Sequence, residues 1–74
     1  MNIIDAVSGD KIQGDSFKTY AIRLGKNDVR QDKLPAQTRG YQSSREEIAE
    51  WLANGQTVWI LDPATSAYWR VEAR

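Results

Sequence analysis

The chain has 74 residues, with ten Lys plus Arg against ten Asp plus Glu, so its formal net charge is zero. It contains no cysteine and no histidine, which excludes disulfides, the usual zinc sites and a histidine general base. No apolar run approaches the ~20 residues that span a bilayer, and the first residues lack the basic region of a signal peptide. We therefore expect a single small cytoplasmic domain, residues 1–74, with no cofactor, no metal and no membrane association.

The first half of the chain predicts strands and one long loop. Residues 1–13 fit either a strand that turns at Ser8-Gly9-Asp10 or a short helix that ends at Gly9, and we favour the strand. The stretch "FKTYAIRL", residues 17–24, alternates as a strand does. Residues 25–42 show no periodicity, and a loop this long in a small domain is usually functional or disordered. A short strand at 38–42 is an alternative.

The stretch "SSREEIAEWLANG" predicts a helix at about residues 44–54. Two overlapping capping boxes begin at Ser43 and Ser44, so the start is ambiguous by one residue. Three apolar residues then form one stripe: Ile48, Trp51 and Leu52. Gly55 can take the left-handed conformation that ends a helix.

The last part of the chain predicts a β-hairpin. Residues 57–61 and 67–72 are rich in β-branched and aromatic residues, and Asp62-Pro63 suits a turn between them. The expected fold class is α+β: a small antiparallel sheet of three to five strands, with one helix packed on one face and a C-terminal helix–Gly–hairpin unit.

Strand alternation assigns the hairpin side chains to two faces. One face, predicted to lie under the helix, carries Val58, Ile60, Trp69 and Val71. The other carries Trp59, Leu61 and Tyr68, joined by Phe17 and Arg70. Because Trp, Tyr and Arg are enriched at binding hot spots, we predict a partner-binding surface centred on Trp59, Tyr68 and Arg70, with Arg30 and Arg39 at its rim. Two alternatives remain open: loop 25–42 covers this face, or Trp59 belongs to the core.

These patterns favour a binding protein over an enzyme, because the carboxylates show no pairing and no serine has an accompanying base. We expect a non-enzymatic module that occupies the surface of another protein, as small phage or mobile-element accessory and inhibitor proteins do. The same surface could pair two copies as a homodimer. The alternative is a modest nucleic-acid binder that uses the aromatic face and the basic residues of loop 25–42. The zero net charge makes nucleic acid the weaker candidate.

Overall fold

The structure is a computed structural model that describes residues 2–22 and 31–74. Within these ranges the chain forms one helix and six strands: β1 (Ile3–Asp5), β2 (Ser16–Ile22), β3 (Lys33–Leu34), β4 (Tyr41–Ser44), α1 (Arg45–Ala53), β5 (Thr57–Asp62) and β6 (Ala67–Ala73). All pairings are antiparallel, in the order β1-β6-β5-β2-β4, and β3 also pairs with β6. The predicted α+β class is confirmed. The predicted number of strands, three to five, is wrong, since the two-residue strand β3 leaves no periodicity in the sequence.

The N-terminal residues form a strand and a tight return, so the short-helix alternative is wrong. β1 pairs with the end of β6, and Ile4 forms a bridge with Lys11 on its other side. The turn between them is fixed by Asp5, whose Oδ1 accepts the backbone N–H of Val7 at 2.8 Å and of Ser8 at 3.2 Å. This is the local hydrogen bonding by which Asp stabilises turns.

Both ends of α1 are closed by hydrogen bonds that the sequence encodes. Ser44 is the N-cap and forms the capping box with Glu47, which resolves the predicted ambiguity between Ser43 and Ser44. At the other end Gly55 has φ +82°. Its N–H donates to the carbonyl of Leu52 at 3.2 Å, and the N–H of Gln56 donates to that of Trp51 at 3.0 Å. This pair of bonds is the Schellman motif.

The main core lies between α1 and one face of the sheet, here called the helix-side face. Its buried residues are Ile3, Ile48, Val58, Ile60 and Val71. Phe17 packs at its margin, which corrects the prediction that Phe17 joins the opposite face. The reason is the register: β2 pairs Thr19 with Ile60, and this pairing puts Thr19 and Phe17, two positions before it, on the side of Ile60.

The opposite face of the sheet is also covered, by residues 31–40, here called the cover segment. Leu34 forms a second buried cluster with Trp59 and Tyr68. The segment starts at the β6 edge, where Leu34 pairs with Tyr68, and ends at Gly40, where an added Cβ would collide with the Tyr68 hydroxyl and lie 2.8 Å from the carbonyl of Thr19 on β2. It therefore runs across the face from one side of the sheet to the other. No helix in the described ranges has the length and apolarity that crossing a membrane requires.

Candidate functional site

The two aromatic residues at the centre of the predicted binding surface are buried. Trp59 is 0% exposed and Tyr68 is 1% exposed. The Trp59 indole N–H donates to the carbonyl of Gln31 at 2.8 Å, and its ring lies 5.6 Å from that of Tyr20. Trp59 and Tyr68 do point away from the helix, as predicted. The prediction that they form an exposed surface is wrong, because the cover segment packs on them and satisfies the indole N–H.

The arginines of the predicted surface do not form one patch around these rings. Arg70 holds the cover segment: its backbone N–H donates to the carbonyl of Asp32 at 2.9 Å, and its guanidinium lies 3.2 Å from the Asp32 carboxylate and 3.1 Å from that of Glu72. Arg39 is exposed at the other end of the segment. Arg30 lies outside the described residues.

Burial of the aromatic rings also bears on nucleic-acid binding. A stacking platform needs ring faces that a base can reach, and the faces of Trp59 and Tyr68 are packed inside the second cluster. Lys33, one of the basic residues of the loop, has its Nζ 5.2 Å from the centroid of the Trp69 ring. The structure therefore offers no open face of Trp59 or Tyr68 on which a base could stack.

A different surface is open, at one end of the helix-side face. It is a cleft of about 530 Å³, here called the helix-side groove. Apolar side chains from three separate parts of the chain line it: Ile12, Phe17, Ile60, Pro63 and Trp69. Asp5 and Asp62 also line it. The volume falls in the range of ordinary ligand and side-chain pockets.

The groove is open because α1 is short. Nine helical residues span about 14 Å, whereas the seven residues of β6 span about 23 Å. The helix packs its Ile48 on the end of the face that carries Val58, and both residues are 0% exposed. Trp69, which the sequence places under the helix, pairs with Ile60 further along β5 and β6 and is only half-buried there.

The aromatic residues of the groove are held in place by polar contacts. The Trp69 indole N–H donates to Thr65 Oγ1 at 3.2 Å, and the Lys33 ammonium lies over the ring. The Arg45 guanidinium lies 5.6 Å from the Phe17 ring and donates to the carbonyls of Gly14 and Ile12. These contacts fix the shape of the groove in the free protein, which reduces the ordering cost of binding.

Two carboxylates line the groove, those of Asp5 and Asp62. Asp5 Oδ1 and Asp62 Oδ1 each accept backbone N–H groups in the turns that they begin, so both carboxylates have fixed positions. Within residues 2–22 and 31–74, no three acidic side chains come together in a way that could hold a metal ion. Carboxylates in fixed positions beside an apolar surface can accept hydrogen bonds from donors next to a bound apolar group, and these bonds orient that group.

A second, more polar cleft lies beside α1 at the β4 edge of the sheet. It has a volume of about 550 Å³, and its lining includes Tyr41, Ser43 and Trp51. Tyr41 is 67% exposed, more than the other exposed large hydrophobic residue of the described ranges, Val7 at 53%. We call this cleft the edge cleft.

Sequence reasoning missed the helix-side groove although part of the information was present. The caps limit the helix to about ten residues, which is too short to cover seven-residue strands. What the sequence did not contain was the register that sets Phe17 and Trp69 at the uncovered end. The chain matches no protein-family model, no curated protein and no solved structure, so the function must be argued from these residues alone.

Proposed function

We propose that this protein is a non-enzymatic module that binds another protein through the helix-side groove. The observation that carries the proposal is the open apolar cleft between the half-buried rings of Phe17 and Trp69, with the buried Ile60 at its base. Elsewhere in the described residues, α1 packs on Val58 and Val71 of this face, and the cover segment packs on Trp59 and Tyr68 of the other. A pre-formed apolar cleft next to an exposed rim has the anatomy of a protein-binding hot spot.

The groove fits a protruding apolar side chain of the partner. Phe17 and Trp69 supply flat apolar walls, and Ile60 forms the floor between the strands. Asp5 and Asp62 would accept hydrogen bonds from the backbone or from a basic side chain next to that anchor. With a side chain of the partner in the groove, the module would cover part of the partner's surface, which is how a small inhibitor or accessory protein without catalytic groups acts.

A pair of matched substitutions tests this use of the groove. Gln13 lines the groove and is exposed, whereas Gln37 is exposed on the cover segment. Gln13→Arg and Gln37→Arg make the same chemical change, and neither position belongs to a buried cluster. Exposed substitutions of this kind change stability by about 0.5 kcal/mol or less, so both variants are expected to fold.

The measurement is partner capture from the native host by the immobilised unmodified chain, followed by affinity measurement with each variant. We expect Gln13→Arg to weaken binding at least about tenfold, because a bulky charge enters an apolar contact, and Gln37→Arg to bind as the unmodified chain does. Equal affinities for all three proteins would contradict the proposal. Loss of binding in Gln37→Arg alone would instead favour a surface on the cover segment.

A further inference from the structure

The two edges of the sheet differ in how they are protected. At the β1 edge, residues 10–12 return alongside the strand: the Asp5 N–H donates to the carbonyl of Asp10 at 2.9 Å, and the Ile12 N–H donates to that of Ile3 at 2.9 Å. At the β4 edge, the part of the chain that the structure describes supplies no neighbouring strand. β4 has the sequence YQSS, without a charged residue or proline, which are the usual devices that prevent edge pairing.

The backbone of Gln42 faces outward on this open edge. The Arg45 N–H donates to the carbonyl of Asp15, which fixes the hydrogen-bonded positions of the β2–β4 ladder. Because such positions alternate in antiparallel pairs, Tyr41 and Ser43 turn their backbone groups toward β2, and Gln42 turns its N–H and C=O away. The outward N–H of Ser44 is already occupied by the Glu47 carboxylate, at 3.2 Å.

We propose that the β4 edge pairs with the β4 edge of a second copy of this chain, antiparallel, with Gln42 on the two-fold axis. The two Gln42 residues would exchange both backbone hydrogen bonds, as one hydrogen-bonded pair of an antiparallel ladder does. An interface of this kind is self-complementary, since each copy supplies the same donor and the same acceptor. It lies on the edge of the sheet and does not depend on the helix-side groove.

Side chains on the helix-side face fit this register. With Gln42 opposite Gln42, each Tyr41 faces Ser43 of the other copy. A large exposed ring then lies over a small residue, beside the edge cleft that Ser43 and Trp51 line. Such cross-strand neighbours contribute to sheet pairing. The contact rests on one short strand, so we expect association only at high protein concentration.

The test compares sedimentation of the unmodified chain, Gln42→Pro and Gln42→Ala from about 10 µM to about 1 mM, the range of weak association. Proline removes the outward N–H, and edge strands tolerate proline where that N–H faces solvent. Alanine keeps the N–H but loses the side-chain bond from Gln42 to Ser16 Oγ. We expect reversible dimerisation of the unmodified chain and of Gln42→Ala, and a loss of about tenfold or more in Gln42→Pro.

Hydrogen exchange gives a second measurement that needs no substitution. Exchange of the Gln42 amide should slow as the concentration of the unmodified chain rises, because its N–H becomes bonded in the dimer. Exchange of the Ser43 amide, which faces β2, should not change. Three results would each overturn the proposal. They are a single monomeric species at every concentration, an equal loss of dimerisation in both variants, and a Gln42 amide exchange rate that does not change with concentration.

Discussion

At the scale of single residues, two tryptophans of one hairpin have opposite roles. Trp59 is sealed by the cover segment and hydrogen-bonded to Gln31, and Trp69 lines the open helix-side groove. Alternation along the strands correctly separates them onto two faces. Which face stays open depends on contacts with residues far away in sequence, and these leave no pattern in the hairpin itself. Substitution of Trp59 is therefore expected to lower the stability of the fold before it changes any binding contact.

The position that most directly tests the path of the cover segment is Gly40. A Cβ there would collide with the Tyr68 hydroxyl and would lie 2.8 Å from the carbonyl of Thr19. We expect Gly40→Ala to lower the free energy of unfolding by about 1–3 kcal/mol, as overpacking does. Denaturant unfolding measures this change.

The control for Gly40 is the double variant with Tyr68→Phe. Removing the hydroxyl relieves the closest contact, so the cost of Gly40→Ala should be smaller in the Tyr68→Phe background than in the unmodified chain. If Gly40→Ala is neutral, or costs the same in both backgrounds, the cover segment does not cross the face where the structure places it.

The ion pairs at the end of β6 predict a dependence of stability on pH. Hydrogen bonds from Arg74 and from Arg70 hold the pKa of the Glu72 carboxyl below its ordinary value. A group whose pKa is lower in the folded state adds stability above its unfolded pKa, and this stability is lost as the pH falls through the folded pKa. We therefore expect the unfolding free energy to decrease on the acid side of the ordinary carboxyl range.

Unfolding measured across that pH range with two variants identifies the source of the decrease. Glu72→Gln should flatten the acid dependence. Glu50→Gln, which removes a carboxylate from the exposed side of α1, should leave it largely unchanged. Parallel curves for Glu72→Gln and the unmodified chain would show that the Arg70–Glu72–Arg74 contacts make no difference to folding.

At the scale of elements, local chemistry explains which parts of the fold the sequence predicts. The helix begins at the capping box of Ser44 and Glu47 and ends before Gly55. Because these signals are local, its predicted bounds agree with the structure to one residue. β3 has two residues, which pair with β6, and its Leu34 packs on Trp59 and Tyr68. Its formation is a tertiary effect, which sequence periodicity does not report.

The end of α1 gives a prediction at this scale. Gly55 has φ +82° and donates in the Schellman motif, so a side chain there is strained. We expect Gly55→Ala to cost about 1 kcal/mol or more of unfolding free energy. Gly55→Asn should cost less, because asparagine tolerates the left-handed conformation. Thermal or denaturant unfolding measures both costs. If Gly55→Asn and Gly55→Ala lose the same unfolding free energy, backbone strain does not determine the stability at this position.

At the scale of the whole molecule, coverage of the sheet determines which apolar surface stays open. Within the described residues, α1 packs on one face and the cover segment on the other, and the helix-side groove stays open between Phe17 and Trp69. The sequence predicts the helix, the hairpin and the two faces. It does not predict the helix-side groove. This groove is open because α1 is too short to cover it, whereas the cover segment buries Trp59 and Tyr68, the aromatic pair that the sequence favours as a binding surface.

We propose that a partner contacts the groove at Trp69 and leaves the buried cluster at Trp59 intact. The most direct test is the spectrum of the indole N–H groups of the ¹⁵N-labelled chain, free and with the captured partner. We predict that the Trp69 indole signal shifts on binding, while the Trp59 signal keeps its position and its slow exchange. A shift of the Trp59 signal with faster exchange, and an unmoved Trp69 signal, would contradict the account, since the partner would then displace the cover segment and bind the aromatic face beneath it.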